Sequence, residues 1–486
     1  MGAWVDAFER SWPTLLAAAS ITIALATTAH AAVNKRDARS AIAWVGLVWL
    51  APILGAALYL LLGVNRIHRT ASALELARHQ RSSPTSLPPT EPEALRALLG
   101  ESHAELAPLA RLSRRVVRRP LLGGNSITPL SNGDEAYPAM IAAIDRAERS
   151  IALCSYIFDD DSAGRPFVEA LRRATERGVE VRVLIDSIGT RYSFPPITRR
   201  LRRAGVRVAT FLPILTLTQI HVWNLRNHRK ILVVDGEVGF TGGMNIREGC
   251  VLSVPSAHPV QDLHFRVEGP VVGELVDAFA EDWSFATGEL LEGPAWFPAP
   301  GPVGEVHAKV VCDGPDDDFD VLRTLLLGAI ACAQRSIRIV TPYFLPDPAL
   351  ITALYVAALR GVRVEILLPE ENNLRFVQWA STAQLWQILQ HGCRVFLGAP
   401  PFDHTKLFVV DGAYVLLGSA NWDPRSLRLN FELDLECWSA ELGARLDAQV
   451  EAKLATAREL SLADVDGRAW WVKVRDGLAR LWSPYL

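Results

Sequence analysis

The 486 residues carry 50 Lys and Arg against 53 Asp and Glu, a net charge of -3 with an isoelectric point near 6.4. Such a balance provides no global basic field, so no nucleic-acid partner is expected. The six cysteines are scattered without the paired spacing of a zinc site or a disulfide framework, and the length and 50% hydrophobic content suffice for two domains or one large duplicated one.

The N-terminal region, residues 1–70, reads as a membrane hairpin. Residues 41–64 contain no charge over 24 positions, against about 20 needed to cross a hydrocarbon core. Residues 13–33 are also charge-free, and a polar stretch from Asn34 to Ser40 separates the two. A cleaved signal peptide is disfavoured, because Asp6 and Glu9 outweigh Arg10 where such a peptide needs positive charge. Three basic residues lie in the loop (Lys35, Arg36, Arg39), and five lie outside the spans (Arg10, Arg66, Arg69, Arg78, Arg81). The positive-inside rule then leans toward a cytoplasmic catalytic portion.

Residues 71–92 form a linker, ending in "SSPTSLPPTEP", whose Ser and Pro content suits an extended chain. Beyond it, residues 93–292 and 305–486 repeat each other across a Pro/Gly-rich linker at 293–304. "RSIALCSYIF" from Arg149 parallels "RSIRIVTPYF" from Arg335, "RGVEVRVLID" from Arg177 parallels "RGVRVEILLP" from Arg360, and "AGVRV" from Ala204 parallels "HGCRV" from His391. β-Branched runs alternate with helical patterns in both copies, which predicts two similar α/β lobes, each around a mainly parallel sheet.

The last shared block carries chemistry. "NHRKILVVDGEVGFTGGMN" (Asn227 to Asn245) and "DHTKLFVVDGAYVLLGSAN" (Asp403 to Asn421) write the same pattern of His, Lys, Asp, Gly and Asn twice. With a side-chain period of two, His228 and Lys230 share a face, as do His404 and Lys406. The small-residue turns that follow bring Asn245 and Asn421 back toward that face. For a phosphodiester substrate, Lys and Asn can hold the non-bridging oxygens. One neutral His can attack phosphorus while a second protonates the leaving oxygen. A lysine two residues from each His repels cations, so neither a metal nor any other cofactor is expected. Asp235 and Asp411 complete the pattern and count with the catalytic set, although each opens a Gly turn that suits local pairing. "HAKVVCD" (His307 to Asp313) lacks the spacing and the turn, and reads as the first strand of the second lobe.

The doubled motif resembles the phospholipase D superfamily. "LYLLLGVNR", "SYIFDDDSAGRPFVEAL", "TPYFLPD" and "NWDPRSLRLNFE" extend the likeness to its bacterial cardiolipin synthase branch, over nearly the whole chain. The resemblance implies two lobes about a pseudo-twofold axis in the bacterial inner membrane. It implies a reversible phosphatidyl transfer between two phosphatidylglycerols that forms cardiolipin and glycerol through a phosphohistidine. It assigns His228 as nucleophile and His404 as general acid, Lys230, Lys406, Asn245, Asn421 and Ser419 to phosphate, and Asp262 and Glu432 as carboxylates orienting each His from downstream in its own copy. The first copy departs from the motif with Gly243 where the second has Ser419. A phospholipase D hydrolase, or another phosphatidyltransferase of the superfamily, uses the same residues, and the oligomeric state is left open. Two apolar-aromatic segments suit a membrane interface: Leu215 to Lys230, and the C-terminus from Ala469, where Trp470, Trp471 and Trp482 mix with Lys473, Arg475 and Arg480.

Overall fold

The structure, a computed structural model, describes residues 2–35, 38–63, 88–213, 225–315 and 320–483. Most of the linker at 71–92 and of the apolar segment before the first motif lies outside these residues. The N-terminal region forms one compact unit and the two lobes together form another.

In the first unit, α1 (Gly2–Asn34) is followed by α2 (Ala38–Leu50) and α3 (Pro52–Leu58), which ends in a π-helical turn at Tyr59–Gly63. Among the described residues only Trp12–Asn34 is both long and apolar enough to cross a bilayer. The expected single helix over 41–64 is broken. Ala51 leaves helical geometry (φ -143°, ψ 79°) and Pro52 opens the next helix, since a proline lacks the N–H and clashes with the turn before it. The chain then doubles back: the Trp44 and Tyr59 rings sit 5.4 Å apart, where a continuous helix would separate them by about 22 Å. Gly55 permits this fold, because a Cβ there would meet the Leu47 carbonyl oxygen at 2.7 Å. Tyr59 is fully buried and its hydroxyl lies 2.9 Å from His30 Nδ1 on α1.

The lobes hold the strands β1 (Leu122–Ser131), β2 (Ser150–Ser155), β3 (Glu180–Asp186), β4 (Arg207–Phe211), β5 (Arg226–Asn227), β6 (Ile231–Val234), β7 (Val238–Gly242), β8 (Val260–Gln261) and β9 (Leu263–Glu268) in the first copy. The second copy holds β10 (Val306–Asp313), β11 (Ser336–Val340), β12 (Arg363–Pro369), β13 (Arg394–Gly398), β14 (Phe402–Asp403), β15 (Leu407–Val410), β16 (Tyr414–Gly418), β17 (Asn430–Trp438) and β18 (Arg458–Leu460). The sheet order β4-β3-β2-β6-β7-β9-β1 is matched element for element by β13-β12-β11-β15-β16-β17-β10, and the two meet at the antiparallel pair β1·β10. "HAKVVCD" is the strand β10.

The sheets are mixed rather than mainly parallel. Within each lobe's main sheet, β2-β3-β4 and β11-β12-β13 run parallel, joined by helices such as Gly164–Glu176 and Pro348–Leu359. The motif strands are antiparallel hairpins. Asp235 and Gly236 (φ 53° and 66°) form a tight turn between β6 and β7, and Asp411 and Gly412 (φ 52° and 67°) form the same turn between β15 and β16. Two successive left-handed residues make the hairpin turn whose twist matches antiparallel strands. Each lobe has its own apolar core, one around Leu153, Phe167, Val183 and Phe240, the other around Ile339, Leu354, Ile366 and Tyr414.

Candidate active site

Two very short strands place the histidines. β5 pairs in parallel with the start of β17 (Arg226↔Asn430), and β14 pairs in parallel with β8 (Phe402↔Val260), so each motif is stitched to the other lobe. The next residue along each strand is the histidine, and its amide extends the ladder. His228 N donates to the Phe431 carbonyl at 2.9 Å, and His404 N donates to the Gln261 carbonyl at 2.8 Å. The residue following each acceptor is a carboxylate. Glu432 Oε2 lies 2.9 Å from His228 Nδ1, and Asp262 Oδ2 lies 2.8 Å from His404 Nδ1. The pairing is therefore crossed between lobes, and this corrects the same-copy assignment of Asp262 to His228 and of Glu432 to His404. A carboxylate on Nδ1 holds the ring proton there and leaves the Nε2 lone pair for chemistry.

The lysines anchor on the same backbone. Lys230 Nζ donates to the His228 carbonyl at 2.7 Å and Lys406 Nζ to the His404 carbonyl at 2.5 Å. Asn245 accepts the Ile157 amide on Oδ1 at 3.1 Å, which leaves its Nδ2 to donate. Asn421 Nδ2 donates to Ser426 Oγ at 3.2 Å, while its buried Oδ1 has no hydrogen-bond partner. His228, Lys230, Asn245, Lys406 and Asn421 are buried, and His404 is nearly so.

Asp235 and Asp411 do not join them. They sit at the far ends of β6 and β15, where each carboxylate collects three backbone amides. Asp235 accepts from Glu148, Arg149 and Ser150 at 2.7 to 3.0 Å, and Asp411 accepts from Gln334, Arg335 and Ser336 at 2.7 to 2.9 Å. They tie the hairpin turns to the edges of β2 and β11, so the catalytic placement gives way to a structural one.

Comparison with known proteins follows this geometry. The family model described as cardiolipin synthase, phospholipase D-like domain, matches residues 140–283 and 326–454, one segment in each lobe. A second model, the phospholipase D-nuclease N-terminal region, matches residues 15–63. Cardiolipin synthase A of Pseudomonas putida (strain GB-1) is 34% identical over 94% of this chain and 95% of its own length. The chain belongs to the cardiolipin synthase family. The major cardiolipin synthase of Bacillus subtilis (strain 168) is 31% identical over 93% of this chain and 95% of its own length. The crystal structure of a phosphatidylserine synthase from Haemophilus influenzae shares the fold at a TM-score of 0.61 and 17% identity, covering 78% of this chain and all of that one.

The electrostatics of this cardiolipin synthase family site follow from its dryness. Burial lowers the Lys230 ammonium to about 7, helped by the charge of Lys406, and burial lowers the Lys406 ammonium to about 8 against the pull of Asp262 and Glu432. Burial also lowers His228 to about 4, against the pull of Glu432, and sends His404 well below its usual value, helped by Lys406 and Lys230. Both imidazoles are neutral at rest near pH 7. An anionic phosphodiester entering between them favours their charged forms.

The two carboxylates differ. Burial raises Asp262 to about 7. Burial also opposes ionisation of Glu432, but His228 and Lys230, with hydrogen bonds from His228 and Ser419, outweigh it and hold the group below its ordinary value. The one mismatch in the doubled motif adds to the difference, behind the larger effects of His228 and Lys230 on Glu432 and of Asp403 on Asp262. Ser419 Oγ donates to Glu432 Oε2 at 2.6 Å and accepts the Leu433 amide at 3.0 Å, so its hydroxyl serves the carboxylate and not a phosphate. At Gly243 a Cβ would meet Asp262 Oδ1 at 2.6 Å and the His404 carbonyl at 3.0 Å. Glycine lets Asp262 press against the turn, and no hydroxyl reaches it from there.

Sequence reasoning missed two tyrosines. The Tyr156 ring stands 5.2 Å from the His228 ring with Lys230 Nζ 5.6 Å from its centroid. Tyr343 stands 6.3 Å from Phe402, which is 6.0 Å from His404. They stand one position apart in the repeated blocks "SYIF" and "PYF", whose matching residues are Phe158 and Phe344, so the repeat did not mark them.

Proposed function

We propose that this protein is a membrane-bound cardiolipin synthase that joins two phosphatidylglycerols. The observation that carries this reading is the crossed pair of His–carboxylate contacts, which makes one site with two Nε2 lone pairs from two lobes. With the anionic phosphodiester bound, His404 takes up a proton on Nε2. His228 Nε2 then attacks the phosphorus of the first lipid, forming an N–P bond, while the bond from phosphorus to the glycerol oxygen breaks and that oxygen takes the proton from the His404 imidazolium. The neutral His404 then removes a proton from a hydroxyl of the second phosphatidylglycerol. That oxygen attacks phosphorus, the N–P bond breaks, and cardiolipin leaves. Lys230, Lys406, Asn245 and Asn421 hold the phosphoryl oxygens as charge builds on them. Every step runs on groups of this chain, which supports a reaction without metal or cofactor.

The assignment of His228 as attacking residue is supported by its partner, since an ionised Glu432 stabilises the positive imidazole that forms on attack. Asp262, raised toward neutrality, suits a His404 that alternates between giving and taking a proton.

The lobes belong on the cytoplasmic face in this reading. If α1 spans and the α2–α3 segment enters and returns on one side, Lys35, Arg36, Arg39, Arg66, Arg69, Arg78 and Arg81 all flank that side, against Arg10 on the other. That bias is far stronger than a two-span count supplies.

The test is product analysis of the purified full-length protein in phosphatidylglycerol vesicles, with phosphate-labelled lipid and acid-free trapping. Cardiolipin and free glycerol in equal amounts are expected, with label on His228 in His404→Asn. Phosphatidic acid as sole product would overturn the synthase reading, and label on His404 in the wild-type chain would reverse the roles.

A further inference from the structure

The C-terminal helix, Trp470–Leu481, turns an apolar face outward. Trp470, Trp471, Val474, Leu478 and Leu481 are all exposed, Trp470 to 76%. At steps of 3, 4 and 7 or 8 residues they form one stripe along the helix. The opposite face is packed. Ala479 is buried, and Arg475 lies 4.2 Å over the ring of Trp379 on the helix Arg375–Thr382. The one acidic residue of the helix, Asp476, is buried and paired with Arg468 and Arg475, while Lys473 and Arg480 are exposed. Outward, the helix presents only apolar, aromatic and cationic groups.

This face runs on to the active site. Trp379 packs at 6.3 Å on Phe376, which is exposed along with Leu374. The neighbouring Asn373 accepts from the Tyr343 hydroxyl at 2.8 Å, and Tyr343 leads through Phe402 to His404. The first lobe has a counterpart. His228 touches Tyr156, whose ring is 6.5 Å from Tyr192, and two residues on Phe194 is 98% exposed. An isolated exposed aromatic needs no explanation, but two exposed apolar tips that each lead to a catalytic histidine do.

We propose that the C-terminal helix and the two loops, around Phe194 and around Leu374 to Phe376, are the surface by which the catalytic unit lies on an anionic phospholipid bilayer. Tryptophan favours the interfacial depth, and Lys473 and Arg480 complement lipid phosphates. Docking of this face brings both histidines to the membrane, so that a lipid reaches them by partial withdrawal. The inference rests on the reading of the substrate as a membrane phospholipid.

The experiment uses the full-length chain with Cys332→Ser, the other five cysteines being buried. A fluorescent label is placed singly at Val474→Cys, Phe194→Cys or Glu176→Cys, in vesicles containing phosphatidylglycerol and a nitroxide-bearing phosphatidylcholine. Glu176 ends its helix beside the start of β3, at the opposite end of the sheet from the histidines. Labels at 474 and 194 are expected to be quenched severalfold more than the label at 176. As a second measure, Val474→Asp with Leu478→Asp is expected to lose about tenfold activity at limiting lipid mole fraction, with turnover on detergent-dispersed lipid retained. Equal quenching at all three positions would overturn the proposal even where cardiolipin forms. Selective quenching with only phosphatidic acid produced would leave docking in place and overturn the synthase reading instead.

Discussion

Ser419→Ala isolates the hydrogen bond that distinguishes the two halves of the site. The Ser419 hydroxyl donates at 2.6 Å to a fully buried carboxylate, and a hydrogen bond to a buried charge is worth about 1.5–3 kcal/mol. Its loss therefore raises the Glu432 pKa by about one to two units. The sign follows from the direction of the shift. Glu432 is held below its ordinary value, so the stability it contributes is present above the unfolded pKa and disappears as pH falls through the folded one. In Ser419→Ala that loss begins about one to two units higher. The protonated carboxyl then no longer stabilises an imidazolium at His228, so the acid limb of kcat/KM moves up by the same amount. Initial rates of cardiolipin formation across the acid range, with denaturant unfolding at neutral and acid pH, measure both effects. The destabilisation is greatest near neutrality and shrinks toward low pH. Acid limbs that superimpose for a folded Ser419→Ala would refute the claim that Ser419 keeps Glu432 ionised.

Further outcomes follow from the same geometry. Glu432→Gln removes an ionised partner from His228 and is expected to lower kcat by about 10³–10⁴. Asp262→Asn replaces a group raised to about 7, so its penalty grows from pH 6 to pH 8 as the native carboxyl ionises, and a flat ratio over that range contradicts the assignment. Asp411→Ala strips three amides of their acceptor and puts alanine at a positive φ, for a loss of about 3–4 kcal/mol. It is expected to lower Tm while kcat/KM of the folded fraction stays unchanged. Exhaustive chelation of divalent cations leaves the initial rate intact, whereas recovery on adding back a metal would remove the proposed mechanism.

Much of this was legible before any coordinates. The repeated blocks correspond to β2, β3, β4 and the motif hairpins in both lobes, because β-branched runs and Asp-Gly turns are local signals. His228, Lys230, His404 and Lys406 lie close enough to act on one another's charge, as a doubled motif suggests. Asp235 and Asp411 were misplaced because a motif records spacing and not which end of a strand faces the site. The helix expected over 41–64 failed because hydropathy counts apolar residues but does not weigh one proline against the contacts that a reversed chain can make.

The amino-acid sequence by itself determined the duplication, the residue types of the site and the apolar character of the N-terminal region, all properties of neighbours along the chain. Tertiary structure alone decided which carboxylate serves which histidine. Glu432 lies 204 residues from His228, and Asp262 lies 142 from His404; both meet their partners through short parallel strand pairs between lobes. Such pairing depends on backbone hydrogen bonds and register, which carry no mark in the local sequence. The same register gave the two carboxylates different neighbours, with His228, Lys230 and Ser419 around Glu432 and Asp403 near Asp262.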